Sequence, residues 1–306
     1  EQAAAGGPNG WRSNIAFNAN GMRATTNSFL LDGVDNNEQS LDFTISVLPV
    51  IDAIQEFKVQ TSNFSAEFGR ALGGIVSVTT RGGTNELHGT LYEFLRNSAF
   101  DARNFFATTG RKPAFRQHQF GGAAGGPIVK NKLFYFADYQ GQRGHQDQTF
   151  LVTVPSAAMK RGDFTGLNPI YDPISGAPFP NNQIPQTRID RPSSIISPLW
   201  ADPNLPGAVN NFTNNPRLTR SDEQFDVRID QQVSERDNFF ARYSFHQTER
   251  LNPSAMLTPQ NPYGGSPAGG QFSGDATIRA QNVSLNHSHI FSPTVINEFR
   301  FGFNRF

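Results

Sequence analysis

The sequence predicts a mainly β protein, with a small α+β segment followed by the antiparallel strands of a transmembrane β-barrel. Stretches of nine to twelve residues alternate apolar and polar side chains with period two. The connections between them alternate short and long, and no apolar run approaches the ~18–20 residues of a membrane-spanning helix. Composition fits this class. Lys and Arg total 26 and Asp and Glu 26, so no net charge attracts nucleic acid or an anionic surface. Charged residues make up 17%, below the ~25% of an average soluble domain. Cysteine is absent, which excludes a disulfide scaffold, thiolate zinc sites and a cysteine nucleophile. The chain opens Glu1-Gln2-Ala3-Ala4 without Met or an apolar signal stretch, which predicts a start after processing or partway into a longer protein.

In chain order, Asn27–Asp32 reads as a short apolar strand ending at Gly33. Leu48–Ile54 places Pro49 at a helix start, with Val50, Ile51 and Ile54 apolar at helical spacing. Glu56–Thr61 alternates Phe57 and Val59 against Lys58 and Gln60, the pattern of a half-buried strand, and the β-branched Gly73–Thr80 is another strand. From about residue 86 longer alternating stretches follow. In Gln224–Val233, Phe225, Val227, Ile229 and Val233 oppose Gln224, Asp226, Arg228, Asp230 and Gln232. Next, Phe239, Ala241, Tyr243 and Phe245 oppose Arg242, Ser244 and His246; later, Phe299, Phe301 and Phe303 oppose Glu298, Arg300 and Asn304.

The turns at 130–132, 234–237 and 292–294 are tight and polar, whereas long loops are expected near 97–114, 144–222 and 250–275. A structureless loop as long as the central, Pro- and Asn-rich one argues against a compact soluble domain. An outer-membrane barrel has short turns on the periplasmic side and long loops outside. Tyr135, Tyr139, Tyr243 and Phe291, near strand ends, suit its aromatic girdles. The competing reading from pattern alone is a soluble β-sandwich, whose strands average about 5–6 residues.

The run Phe29-Leu30-Leu31-Asp32-Gly33-Val34, the proline-led Pro49–Ile54, Glu56–Val59, Phe68-Gly69 and Gly73–Thr80 together resemble, in order, the plug domain of TonB-dependent outer-membrane receptors. Downstream, NELHGTLYEFLRNSAFDARNFF and FGGAAGGPIVKNKLFYFADYQGQR resemble the first barrel strands of the Oar-like branch. The resemblance implies the C-terminal part of a plug over residues 1–84 and the N-terminal part of a barrel over 85–306, with about seven strands and a long extracellular loop near 144–222. Transporters of this type have about 22 strands around a plugged lumen, so the resemblance implies an incomplete barrel.

Asp32, Asp35 and Glu38 invite a calcium reading, but the ligand spacing of a calcium loop is missing and turn chemistry is expected. By resemblance, the segment after Asp32-Gly33-Val34 is apical and faces ligand, which makes Asn36, Asn37, Glu38 and Gln39 the candidate ligand contacts. Their amides and carboxylate suit hydrogen bonding to sugar or peptide. His287 and His289 point to one side of a strand; with no carboxylate or third histidine near in sequence, a surface or lumen-facing pair is expected and no metal site. Gly121–Gly126 lacks the Gly-Lys-Ser/Thr of a phosphate loop, and its small residues suit curvature or close approach of the plug. No nucleophile–base pair is recognisable, so neither an enzyme nor a cofactor is expected.

The resemblance implies an outer-membrane receptor of a Gram-negative-type bacterium. It would take up a scarce extracellular ligand, with oligosaccharide favoured, driven by the TonB complex through a region absent from this chain. Its other partners are outer-membrane lipid and no nucleic acid. The alternatives are a surface adhesion or signalling protein on the same scaffold, or a soluble β-sandwich binding module.

Overall fold

The structure, a computed structural model, describes residues 18–23, 26–38, 45–62, 64–65, 67–69, 71–102, 112, 114–147, 149–255 and 273–306. Four short strands form a first sheet: β1 (Ser28–Leu31), β2 (Val34–Asp35), β3 (Ile54–Thr61) and β4 (Gly74–Thr80), in the order β2-β1-β4-β3. β1 and β2 turn on Asp32 and Gly33, both at positive φ (51° and 76°), the conformation of a tight hairpin turn. β4 is the central strand: it pairs parallel to β1 and antiparallel to β3, and Ile75 is fully buried. Burying such a side chain contributes about 1.5–3 kcal/mol.

Two expectations for this region are corrected. The proline-led segment forms only a single 3-10 turn, Ile51–Ala53, before β3 begins at Ile54, so the chain has no room for a full helical turn after it. β3 is not half-buried in the way its alternation suggests, because it is an edge strand and its Phe57 and Val59 are 61% and 48% exposed.

Seven long strands form the second sheet: β5 (His88–Asn97), β6 (Phe115–Val129), β7 (Leu133–Asp147), then β10 (Arg217–Gln232), β11 (Asp237–Asn252), β12 (Gly274–Ser292) and β13 (Val295–Arg305). Every neighbouring pair is antiparallel and sequential, and the sheet stays open with β5 and β13 as its edges among the described residues. The strands are longer than the sequence pattern suggests, because β7 and β10 extend into the expected loop, to Asp147 and from Arg217. Sixteen residues of β10 span roughly 50 Å at ~3.3 Å each, enough at barrel tilt to project beyond an apolar band about 25 Å tall.

The connection from β7 to β10 is a folded unit rather than a structureless loop. It holds a two-strand pair, β8 (Phe150–Val152) with β9 (Phe212–Asn214), and two short helices, α1 (Ala157–Lys160) and α2 (Arg191–Ile196). Val152, Val154, Ala201 and Phe212 of this unit form a buried cluster with Ala255, which follows β11, packed by Phe150 and Trp200. Asn211 closes it, donating to the Val154 carbonyl (2.9 Å) and accepting from the Val154 N–H (2.8 Å). No helix among the described residues is long and apolar enough to cross a membrane.

Candidate functional site

Period two places opposite chemistry on the two faces of the large sheet, and the faces are inverted relative to a soluble protein. Asp222, Gln224, Asp226, Arg242, Ser244, Thr248, Asn282, Ser284 and Asn286 are buried, while Leu91 is 92% exposed and Val227, Ile229, Phe239, Leu285, Phe299, Phe301 and Phe303 are exposed as well. The even-numbered side chains of β10 to β13 face the first sheet, and the odd-numbered apolar ones face away from it.

Asp32 carries the strongest junction between the two sheets. Its carboxylate accepts from the Arg242 Nε–H (2.6 Å), the Thr80 N–H (2.8 Å) and the Thr80 hydroxyl (2.8 Å), and Arg228 Nη1 lies 3.4 Å away. The Arg242 side chain is fully buried and the Asp32 side chain 1% exposed. Arg242 also donates to Asn282 Oδ1 (2.7 Å) and to Ser244, whose hydroxyl bonds Asp226. Arg228 donates to the Thr80 carbonyl (3.0 Å), is held by Asp230 (2.7 Å) and lies 4.3 Å over the Phe240 ring. This is a paired, hydrogen-bonded set of buried charges, the form in which such burial is tolerated.

Three further contacts seat the first sheet. Val50 and Ala53 pack on Phe136 of β7, with Ala123 of β6 alongside, so small residues of the Gly121–Gly126 run do meet this segment. Ser46 donates to Asn304 Oδ1 (2.8 Å). Gly302 of β13 lies so close under Val34 that any Cβ there would collide with its side chain.

Between segment 45–51 and the inner face lies a cleft of about 330 Å3. Its wall is polar: Gln119, Gln140, Gln142, Gln224, Arg220, Asp222, His246 and Thr248 face Ser46, Leu48, Pro49 and Ile51. Asp222 accepts from Arg220 Nε (2.5 Å) and from the Thr248 hydroxyl (2.5 Å), and Gln140 Oε1 accepts from Tyr92 (2.9 Å) and Gln119 (3.0 Å). Such fixed amide, guanidinium and hydroxyl groups suit a ligand rich in hydroxyl or carbonyl oxygens.

Asn36 is buried and its amide is committed to Val47, donating to the carbonyl (2.8 Å) and accepting from the N–H (3.0 Å). Asn37 likewise bonds the Phe29 backbone N–H (3.0 Å) and Asp35 (2.5 Å). Glu38 is 4% exposed, and Gln39 lies outside the described residues. Asp35 takes part in turn chemistry, its Oδ1 accepting from the Asn37 N–H (2.9 Å), whereas Asp32, beyond its place in the turn, is held in a buried ion pair that the sequence reading did not anticipate. The reading of His287 and His289 needs correction: a carboxylate does stand beside them, because the β11–β12 register sets Asp237 opposite His289. Sequence proximity hides it, since the chain between them is some fifty residues long.

Sequence reasoning placed Arg228, Arg242 and His246 on a polar strand face without giving them a role. The available signal was a pair of like charges on the face that ought to be buried in a barrel, and an aspartate in the turn that ends β1.

An outward apolar band, a polar inner face, short turns on one rim, long loops on the other and a small sheet bonded inside define the wall of an outer-membrane β-barrel with an occupied lumen. The chain belongs to the outer membrane beta barrel domain family, which matches residues 79–306. The TonB-dependent transporter Oar of Myxococcus xanthus is 28% identical over 138 residues, covering 43% of this chain and 13% of that protein. Together these place the chain in the outer membrane of a Gram-negative bacterium, as a barrel domain similar in sequence to that TonB-dependent transporter. Among solved structures, the fold is similar to the outer membrane transporter YddB of Escherichia coli, with TM-score 0.55, 11% identity, and coverage of 94% of this chain and 32% of that one. A ferric enterobactin receptor variant of Pseudomonas aeruginosa, in complex with enterobactin, has TM-score 0.50 and 12% identity, with coverage of 94% and 34%. The chain thus spans 13% of the curated relative and about a third of these two structures. The relatives named are transporters and receptors, not enzymes.

Proposed function

We propose that residues 1–84 are the C-terminal part of a plug and 85–306 the N-terminal part of the barrel of a receptor that takes up a scarce extracellular ligand by TonB-coupled transport. The observation that carries this reading is the buried junction of Asp32 with Arg228 and Arg242, which fixes a small sheet inside a polar lumen beneath a polar cleft. Ligand enters from the long-loop side and settles against the cleft, with Asn36, Asn37, Glu38 and Gln39 contributing from the plug. Asn36 and Asn37 do so by holding the segment's shape, given where their amides are spent. The cleft's amides, arginine and acid favour an oligosaccharide over an apolar ligand. Passage requires the plug to move, and the element with two positions is the sheet built on β1 and β4, released when TonB pulls on the region preceding it.

The test uses the complete receptor in its own host. Uptake of candidate labelled oligosaccharides is compared in cells with and without TonB, and binding is measured on intact cells. TonB-dependent uptake, weakened by alanine at Gln140 and Gln142, is expected. Binding without any TonB-dependent uptake would overturn transport and favour adhesion or signalling, for which the folded extracellular unit between β7 and β10 offers the surface. A soluble receptor would overturn the membrane topology.

A further inference from the structure

The structure assigns a divalent transition-metal site, of the kind that takes Zn2+, to Asp237, His287 and His289 on the outer face of the barrel at its short-turn rim. His287 and His289 are two residues apart on β12, so both imidazoles project from one face. They share that face with Leu285 and Phe291, the side away from the plug. The register brings in Asp237, the first residue of β11, opposite His289. His289 Nδ1 lies 2.6 Å and His287 Nε2 3.1 Å from the same oxygen, Asp237 Oδ1. The three ligand atoms lie within 4.8 Å of one another.

The geometry is that of an open three-ligand site. Two atoms bound at ~2.0–2.1 Å to a tetrahedral ion stand about 3.3 Å apart. To admit the ion, Asp237 Oδ1 therefore needs to draw away from His289 Nδ1, now at 2.6 Å, by about 0.7 Å and from His287 Nε2, now at 3.1 Å, by about 0.2 Å, shifts within reach of side-chain rotation. Two imidazoles and one carboxylate, with room for water in the remaining position, are a donor set for zinc and its neighbours rather than for calcium or magnesium.

The supporting groups fix the ligands where they are. Ser234 donates its hydroxyl to Asp237 Oδ2 (2.9 Å), which leaves Oδ1 turned to the histidines, and the Asp237 N–H returns a bond to the same hydroxyl (3.1 Å). Phe239 stacks on the His287 ring at 4.0 Å and 4°, and Phe291 meets His289 edge-on at 4.3 Å. Each ligand side chain keeps between 27% and 30% of its surface open, so an ion has an entry path. Bound there, the metal would tie β11 to β12 where the barrel leaves the apolar band.

The test is on the complete receptor, free of any polyhistidine tag, stripped by chelation and held in detergent. Zn2+ binding is followed by equilibrium dialysis and calorimetry, and Co2+ is used as the spectroscopic probe. One Zn2+ per chain is expected at this site, with the strong visible absorption of tetrahedral Co2+. His289→Gln and Asp237→Asn should each weaken it at least about tenfold, whereas His145→Gln, on a distant part of β7, should not. A heat-modifiable gel shift checks that each variant is folded. Absence of Zn2+ binding, or binding equally strong in both ligand variants, would overturn the site. A purely octahedral Co2+ spectrum in the unaltered receptor would do so without recourse to any variant.

Discussion

Replacing Asp32 by asparagine keeps the side chain's shape and removes the charge that two barrel arginines are built around. Arg242 is fully buried, and its Nε–H donates to Asp32 Oδ2 at 2.6 Å. An asparagine can keep one acceptor for the Thr80 N–H, but its NH2 then confronts the Arg242 N–H groups, or the reverse after a flip. Removing one partner of a buried pair costs about 3–5 kcal/mol. Asp226 lies 3.8 Å from Arg242 and takes up part of the unbalanced charge, so the lower end, about 3 kcal/mol, is the expected loss. That loss falls on the seating of the small sheet, since the barrel strands keep their own ladders. At about 1.4 kcal/mol per factor of ten, hydrogen-exchange protection of the amides of Ser28–Leu31 and Gly74–Thr80 should fall roughly 150-fold, with β10 to β12 unchanged. The measurement is exchange with mass spectrometry on the complete receptor in detergent. Converting Arg242 to methionine in the same chain should restore part of the protection. Unchanged protection in Asp32→Asn would refute the view that this ion pair holds the sheet, and a uniform loss over both sheets would refute its being a junction between separable units.

Gly302→Leu should force Val34 away and lower thermal stability by about 1–3 kcal/mol, with partial rescue by Val34→Ala, read from heat-modifiable gel mobility. Asp138 is buried with neither carboxylate oxygen bonded among the described residues, so Asp138→Asn should be neutral or stabilising in the same assay; a clear loss would reveal a partner. In the folded unit between β7 and β10, the Ile174 N–H and then Arg188 (2.7 Å) hold the Asp172 carboxyl below its ordinary value. This contribution is present above the ordinary carboxylate pKa of ~3.9 and is lost as pH falls through the lower folded value. Asp172→Asn should therefore speed surface trypsin cleavage at Arg188 on intact cells at neutral pH. In acid, amide exchange around Ile174 should no longer distinguish the variant from the parent.

Much of the architecture was legible in the sequence because strand chemistry is local. Side chains alternate with period two whatever surrounds them, so Phe225, Val227 and Ile229 had to share one face and Asp226 and Arg228 the other. Short polar turns were equally local, and so was the strand end and turn at Asp32-Gly33, although the returning strand β2 was not foreseen. Where local pattern misled, context was the reason. Pro49–Ile54 has helical spacing but too little chain before β3 to form more than one turn, and β3 alternates like a half-buried strand although, as an edge strand, it exposes Phe57 and Val59. The loop after β7 reads as Pro- and Asn-rich, yet Val152, Val154, Ala201, Phe212 and Ala255 come together from both its ends and from beyond it.

The sites depended on tertiary structure because each joins residues far apart in the chain. Asp32 meets Arg242 across 210 positions, and Asp237 meets His289 across 52. The sequence by itself determined which side chains face together along each strand, since that follows from backbone geometry within a few residues. Only the seating of the small sheet against the large one decided which charges are paired and which donors converge, since strand register and that seating set distances that no local spacing contains.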